Sequence, residues 1–304
     1  MFSSFLLLLP EFALILLGIF LGKCLPVPAG TWKGIEKLVY YVLFPPLLFR
    51  SIVNADVTLA ESTLYLAVSI GTMLAVVGIS ALVPTFLKAS AVDHASVFQC
   101  GFRFNSYIGF AVVMSMFGEK GLALMSLLIA IWVPISSFFA VAALAKSQAN
   151  GSRIVKEVVT NPLIIATVSG LLVHSAGLPM PATLDLICAR LGTSSLVLGL
   201  LAIGVGLKFD AIKSYAKLLS WAVLLRLVIV PTLALATVTL FKLPPVEAMT
   251  FLIFAMLPTA NSCYILAVNM KGNGPLVAAV MTLQTLFAMV TMPVFLTLGG
   301  CLFS

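Results

Sequence analysis

The chain has 304 residues, 62% hydrophobic and only 9% charged, with a formal net charge of +7. Soluble domains carry about 25% charged residues, so these charges cannot cover a water-facing surface, and the chain reads as an all-α protein dissolved in a bilayer. Its basic residues lie singly between apolar runs, with no patch and no stacking aromatics beside them, which excludes a nucleic-acid partner.

Crossing the hydrocarbon core takes about 20 apolar residues. Ten stretches meet that requirement, at 5–24, 36–54, 63–87, 95–117, 120–145, 156–178, 182–207, 215–241, 246–269 and 275–302. The first has only Ser3 and Ser4 ahead of its apolar run and no positive lead, so it reads as a retained span. The second holds Pro45-Pro46, which bends it. The fourth places Gly101 and Gly109 around Arg103, Asn105 and Ser106. Between the fifth and sixth lies the longest polar run, Lys146 to Glu157, a seam dividing the chain into halves 1–150 and 151–304. The sixth opens on Asn161-Pro162. This is either a helix cap or a polar group reaching a central cavity. In the seventh and eighth, Arg190 and Arg226 read as structural or interfacial charges. The ninth carries Pro258 in mid-span, followed by Thr259, Ala260, Asn261 and Ser262. Pro134 and Pro293, in the fifth and tenth, read as matched kinks.

The halves echo each other. Asn105 to Val112 and Asn261 to Val268 share the pattern N-S-x-x-x-x-A-V. Leu25-Pro26-Val27-Pro28 returns as Leu178-Pro179-Met180-Pro181, and Val83-Pro84-Thr85 as Val230-Pro231-Thr232. Alternate connections also differ in charge. Lys23, Lys33, Lys37, Lys88, Lys146, Arg153, Lys156, Lys208, Lys213, Lys217 and Lys271 fall on one side, against Arg50, Lys120 and Lys242 on the other. The first side is therefore cytoplasmic and both termini face outward. Five spans per half is odd, so the halves insert with opposite topology, as an inverted repeat.

The fourth and ninth spans do not read as continuous helices. Proline removes a backbone hydrogen bond, and a broken helix survives at membrane depth only inside protein or against a water-filled cavity. Crossing broken helices bring half-helix ends to mid-membrane, where N-termini suit an anion. Gly101, Pro258 and Cys263 mark the breaks. Arg103, Asn105, Tyr107, Asn261 and Ser262 are the candidate binding residues beside them. Arg103 has no acid one helical turn away, so an anionic substrate supplies its countercharge. The alternative is snorkelling to an interface, or pairing with Asp185 or Glu11. The five cysteines show no zinc spacing, and no metal, cofactor or hydrolase motif is present. The pattern is that of a secondary transporter with its site where the halves meet.

Phe102 to Gly109, Asn161 to Ala166, Leu200 to Leu207, Arg226-Leu227 with Pro231, and Leu257-Pro258 together resemble the auxin efflux carrier family, within the bile acid:sodium symporter-like superfamily. The chain is similar to its compact bacterial members of malonate or malate type, lacking the long cytoplasmic loop of the plant carriers. The resemblance implies an inner-membrane carrier of a small organic anion, a carboxylate, working by alternating access. It implies a scaffold of spans 1, 2, 6 and 7 and a transport domain of spans 3–5 and 8–10. By the same resemblance Asn105 and Asn161 meet the carboxylate, Pro45 lines the pocket, and the carrier is a homodimer. The plant carriers have proline at both crossings; here the fourth span has none and Cys263 stands at the ninth-span position. Proton, sodium or potential coupling is left open. A sodium-coupled carrier of bile-acid symporter type and a transporter-like membrane sensor are the alternatives.

Overall fold

The computed structural model describes residues 2–28, 30–54, 62–82, 87, 89–145, 160, 162–208 and 215–303. Among these residues every regular element is helical. The seam from Lys146 to Glu157 and the candidate Asn161 lie outside them.

The first half comprises α1 (Phe2–Cys24), α2 (Thr31–Leu38), α3 (Phe44–Val53), α4 (Thr63–Ala81), α5 (Ala91–Phe98) and α6 (Ser106–Ala145). The second comprises α7 (Pro162–Ser175), α8 (Ala182–Gly206), α9 (Ala216–Leu224), α10 (Val230–Leu240), α11 (Pro245–Met256), α12 (Asn261–Asn269) and α13 (Gly274–Phe303). Five of the described helical stretches are long and apolar enough to cross a membrane, and six if the bent pair α11 and α12 counts as one. That pair bends by 43° at its break. The protein is all-helical and multi-pass. Large apolar side chains such as Leu172, Leu240 and Val290 stand exposed on its outer surface.

Local chemistry explains the joints. One turn of π-helix, Val39–Leu43, joins α2 to α3 just before Pro45-Pro46, and a second, Leu225–Ile229, joins α9 to α10 just before Pro231. Proline lacks the N–H that would continue the regular ladder, and a widened turn re-routes the freed carbonyls. The 40 residues of α6 would extend about 60 Å as one rod, twice the hydrocarbon thickness. Gly118, at φ 56° and ψ −141°, breaks the helical geometry inside it and kinks the rod. Gly177 closes α7 in a Schellman turn, with Leu178 N–H donating to Val173 O at 3.3 Å.

Most helices are apolar on all sides, as lipid on one face and protein on the other requires. The exception is α2, strongly amphipathic, with exposed Lys33 and Lys37 flanking half-buried Glu36.

Two sets of helices are distinguishable by packing. In the first, α1 lies against α8, α8 against α3, and α3 against α7. Its contacts depend on glycine: a Cβ at Gly204 would sit 2.0 Å from Ile15 O, and one at Gly18 would sit 2.2 Å from Leu201 O. Small residues let backbones approach where lipid offers no hydrophobic drive between helices. In the second set, α11 packs on α13, α10 and α6, and α4 on α10.

Candidate functional site

After α5 the chain runs through a 3₁₀ turn, Gln99–Gly101, and a non-helical segment to Asn105, before α6 begins. Gly101 is held by crowding, since a Cβ there would lie 2.2 Å from Ser80 Oγ. Trp132 Nε1 donates to Phe102 O at 3.0 Å. Asn105 is buried and caps α6: its Oδ1 accepts from Tyr107 N–H at 3.1 Å and from Ile108 N–H at 3.5 Å. Among the described residues, the hydrogen bonds of its side chain all run through Oδ1.

The second break, Leu257 to Ala260, separates α11 from α12. Leu257 and Ala260 are extended, at ψ 136° and 150°. Pro258 adds no donor, and its carbonyl accepts from Asn105 N–H at 2.8 Å. The two breaks therefore touch through the main chain. Side chains stitch them further. Thr259 Oγ1 donates to Cys100 O at 2.8 Å, and Gln99 Nε2 to Cys263 O at 3.1 Å. Gln284, from α13, accepts from Thr259 N–H at 2.9 Å and donates to Ala222 O at 2.9 Å. Cys263 and Cys100 are both buried, their side chains facing each other across the junction.

Arg226 lies at the centre of this stitching, fully buried on the π turn. Its Nε donates to Leu257 O at 2.6 Å, Nη2 to Phe254 O at 3.2 Å and Nη1 to Gly101 O at 3.3 Å. Phe254 and Leu257 end α11, and Gly101 ends the turn after α5. Helix C-termini carry partial negative charge, so one cation neutralises both. Both N-termini are thereby left to face something else.

Around those N-termini, Arg103 bridges the breaks, donating to Gln99 Oε1 at 3.2 Å and Ser262 Oγ at 3.1 Å. Among the described residues these hydrogen-bond partners are neutral. Pairing with Asp185 is not what the structure has: Asp185 accepts from Arg50 Nη2 at 3.3 Å and Asn54 Nδ2 at 2.7 Å, and Arg50 also pairs with Glu119. Glu11 is buried, with no partner for Oε2 among the described residues. Ser262 is exposed and Asn261 half-buried, at a helix start with no side-chain cap.

Asn261 Nδ2 donates to Glu36 Oε1 at 2.6 Å, bringing α2 to the start of α12. Tyr107 packs on Gly199, where a Cβ would lie 2.8 Å from the ring, and meets Phe44 edge-on at 5.1 Å. Pro45, next to Phe44, is half-buried at the start of α3. The candidates Arg103, Asn105, Tyr107, Asn261, Ser262, Gly101, Pro258 and Cys263 thus share one junction. Among the described residues, no group of three His, Cys, Asp or Glu side chains is placed to hold a metal.

Two of the residues here, Glu36 and Gln284, carry no signal in the sequence that marks them for this junction. Glu36, between two lysines at a span edge, resembles an ordinary interfacial charge. Gln284 was visible as a polar side chain within an apolar helix. The partners of Arg226 are carbonyls, which no side-chain pattern can announce.

Residues 150–296 match the family described as membrane transport protein. The chain is also similar to a protein of Rhizobium meliloti (strain 1021) named "Putative malonate transporter", 22% identical over 272 residues, which are 86% of this chain and 84% of that one. These are matches to transporters, not to enzymes. Both comparisons give what this chain is similar to: membrane transport proteins, over residues 150–296 and over most of its length.

Proposed function

We propose that this protein is a secondary carrier that moves a small carboxylate across the bacterial inner membrane by alternating access, with malonate the first substrate to test. The observation that carries the reading is the division of charge at the junction. Arg226 occupies the two C-terminal ends, so the N-terminal ends of α6 and α12 meet beside Arg103. A carboxylate placed there gains a guanidinium and half-helix N-termini, the arrangement by which broken-helix carriers hold anionic groups. Asn105 Nδ2 and Ser262 Oγ supply further donors, Tyr107 and Pro45 border the pocket, and Asn161 contributes from the start of the sixth span.

Ten spans in two inverted five-span repeats complete the proposal, with both termini periplasmic. The Asn-Ser pairs of the repeated motif open α6 and α12 directly after the two breaks, which supports that reading. The packing of α1, α3, α7 and α8 as one set supports a scaffold against which the rest moves. Sodium-coupled carriers use broken-helix carbonyls as ligands. Here Arg226 already engages three of them, which favours anion transport without sodium at that place.

The test is uptake of labelled malonate, malate and indole-3-acetate into proteoliposomes, with sodium, pH and potential gradients imposed separately. Saturable uptake that Asn105→Ala abolishes is the expected result. Folded protein with no uptake of any of them under any gradient overturns the carboxylate.

A further inference from the structure

We propose that Glu36 competes with the substrate carboxylate for Asn261, so that a proton taken up by Glu36 accompanies each anion that binds. This inference rests on the carboxylate site proposed above.

Asn261 Nδ2 donates to Glu36 Oε1 at 2.6 Å. An ionised carboxylate only accepts hydrogen bonds, so Glu36 takes from Asn261 the same interaction a substrate carboxylate needs. Asn261 opens α12, and its neighbour Ser262 is tied to Arg103. Glu36 is therefore the chain's own carboxylate at the place proposed for the ligand. Two carboxylates sharing one amide repel each other, and the usual relief is protonation of one. A protonated Glu36 loses its charge and gains an O–H, which can donate to the incoming anion.

The surroundings of Glu36 support a single negative charge there. Tyr107 of α6 lies within its electrostatic reach. Lys33 and Lys37, on the same helix, are exposed. Lys208, following α8, has its ammonium 5.0 Å from the ring of Tyr264 in α12. Asp185 and Arg190 of α8, which packs against α2, lie in its opening turns, Asp185 beside Asn54. Arg103, tied to Ser262 next to Asn261, is the cation beside this contact.

Linkage gives the consequence. A substrate that binds only with Glu36 protonated binds more weakly as pH rises, by up to about tenfold per pH unit. Reciprocally, bound substrate favours the proton. Released on the other side, substrate and proton leave together and Glu36 returns to Asn261. The carrier is then a proton symporter, with one proton moving through Glu36 per cycle.

The experiment measures binding of labelled malonate, malate and indole-3-acetate to the purified full chain from about pH 5 to pH 8. It compares wild type, Glu36→Gln, Glu36→Asp and Glu11→Gln. In wild type, affinity is expected to rise as pH falls. Glu36→Gln, a fixed mimic of the protonated state, is expected to bind tightly at all pH values and to lose acid-driven accumulation in proteoliposomes. Glu36→Asp keeps a titrating carboxyl and so keeps a pH dependence, and Glu11→Gln follows wild type. Carboxylate binding with the wild-type pH profile in Glu36→Gln, or loss of the profile in Glu11→Gln instead, overturns the role of Glu36 alone. No binding of any carboxylate by any variant at any pH overturns the carboxylate site and this inference together.

Discussion

Asn105 and Asn261 open equivalent copies of one motif, yet they use opposite ends of the amide. Asn105 accepts through Oδ1 to cap α6, whereas Asn261 donates through Nδ2 to Glu36. The difference yields a clean test. Asn105→Asp preserves the acceptor and removes the NH₂, so its thermal stability in detergent should match wild type while anion uptake is lost. Asn105→Ala removes the cap as well and should lower stability by about 1 kcal/mol. Arg226 calls for a different outcome. Its guanidinium satisfies three carbonyls from both breaks, and leaving a buried polar group without a partner costs about 1–3 kcal/mol each. Arg226→Ala should therefore fail to accumulate as folded protein. Arg226→Lys, with one ammonium for three directions, should melt below wild type in a fluorescence-monitored thermal ramp.

At the scale of elements, helix joints and close approaches set the shape. The contact of α1 with α8 leaves no room at Gly204, where a Cβ would meet Ile15 O at 2.0 Å. Gly204→Val should force the helices apart, destabilise by about 1–3 kcal/mol or more, and broaden the size-exclusion peak in detergent. Much at this scale was legible in sequence. Pro258 and the glycines around Arg103 marked both breaks because those residues act on the backbone itself. What could not be read was pairing across long separations. Glu36 meets Asn261 from 225 positions away, and Arg226 reaches carbonyls on two other elements. A charge between lysines at a span edge carries no sign of which helix will pass over it. The candidate site was therefore legible as a set of residues, but its division into a neutralised pole and an anion-facing pole was not.

At the scale of the molecule, charge asymmetry between connections carries the proposed orientation, and two exposed cysteines test it. Cys24 ends α1 beside Lys23, and Cys301 lies near the end of α13. With termini outward, a membrane-impermeant maleimide applied to intact cells should label Cys301 in a Cys24→Ser variant and spare Cys24 in a Cys301→Ser variant. The reverse pattern would invert the topology. The account's central claim is that the paired helix N-termini and Arg103 hold a carboxylate, and calorimetric titration of malonate into the purified protein tests it most directly. Wild type should bind, and Arg103→Ala, shown to be folded, should bind at least about tenfold more weakly, the loss expected for a hydrogen bond to a charged group. Equal affinity in the two proteins would contradict the claim and place the anion elsewhere.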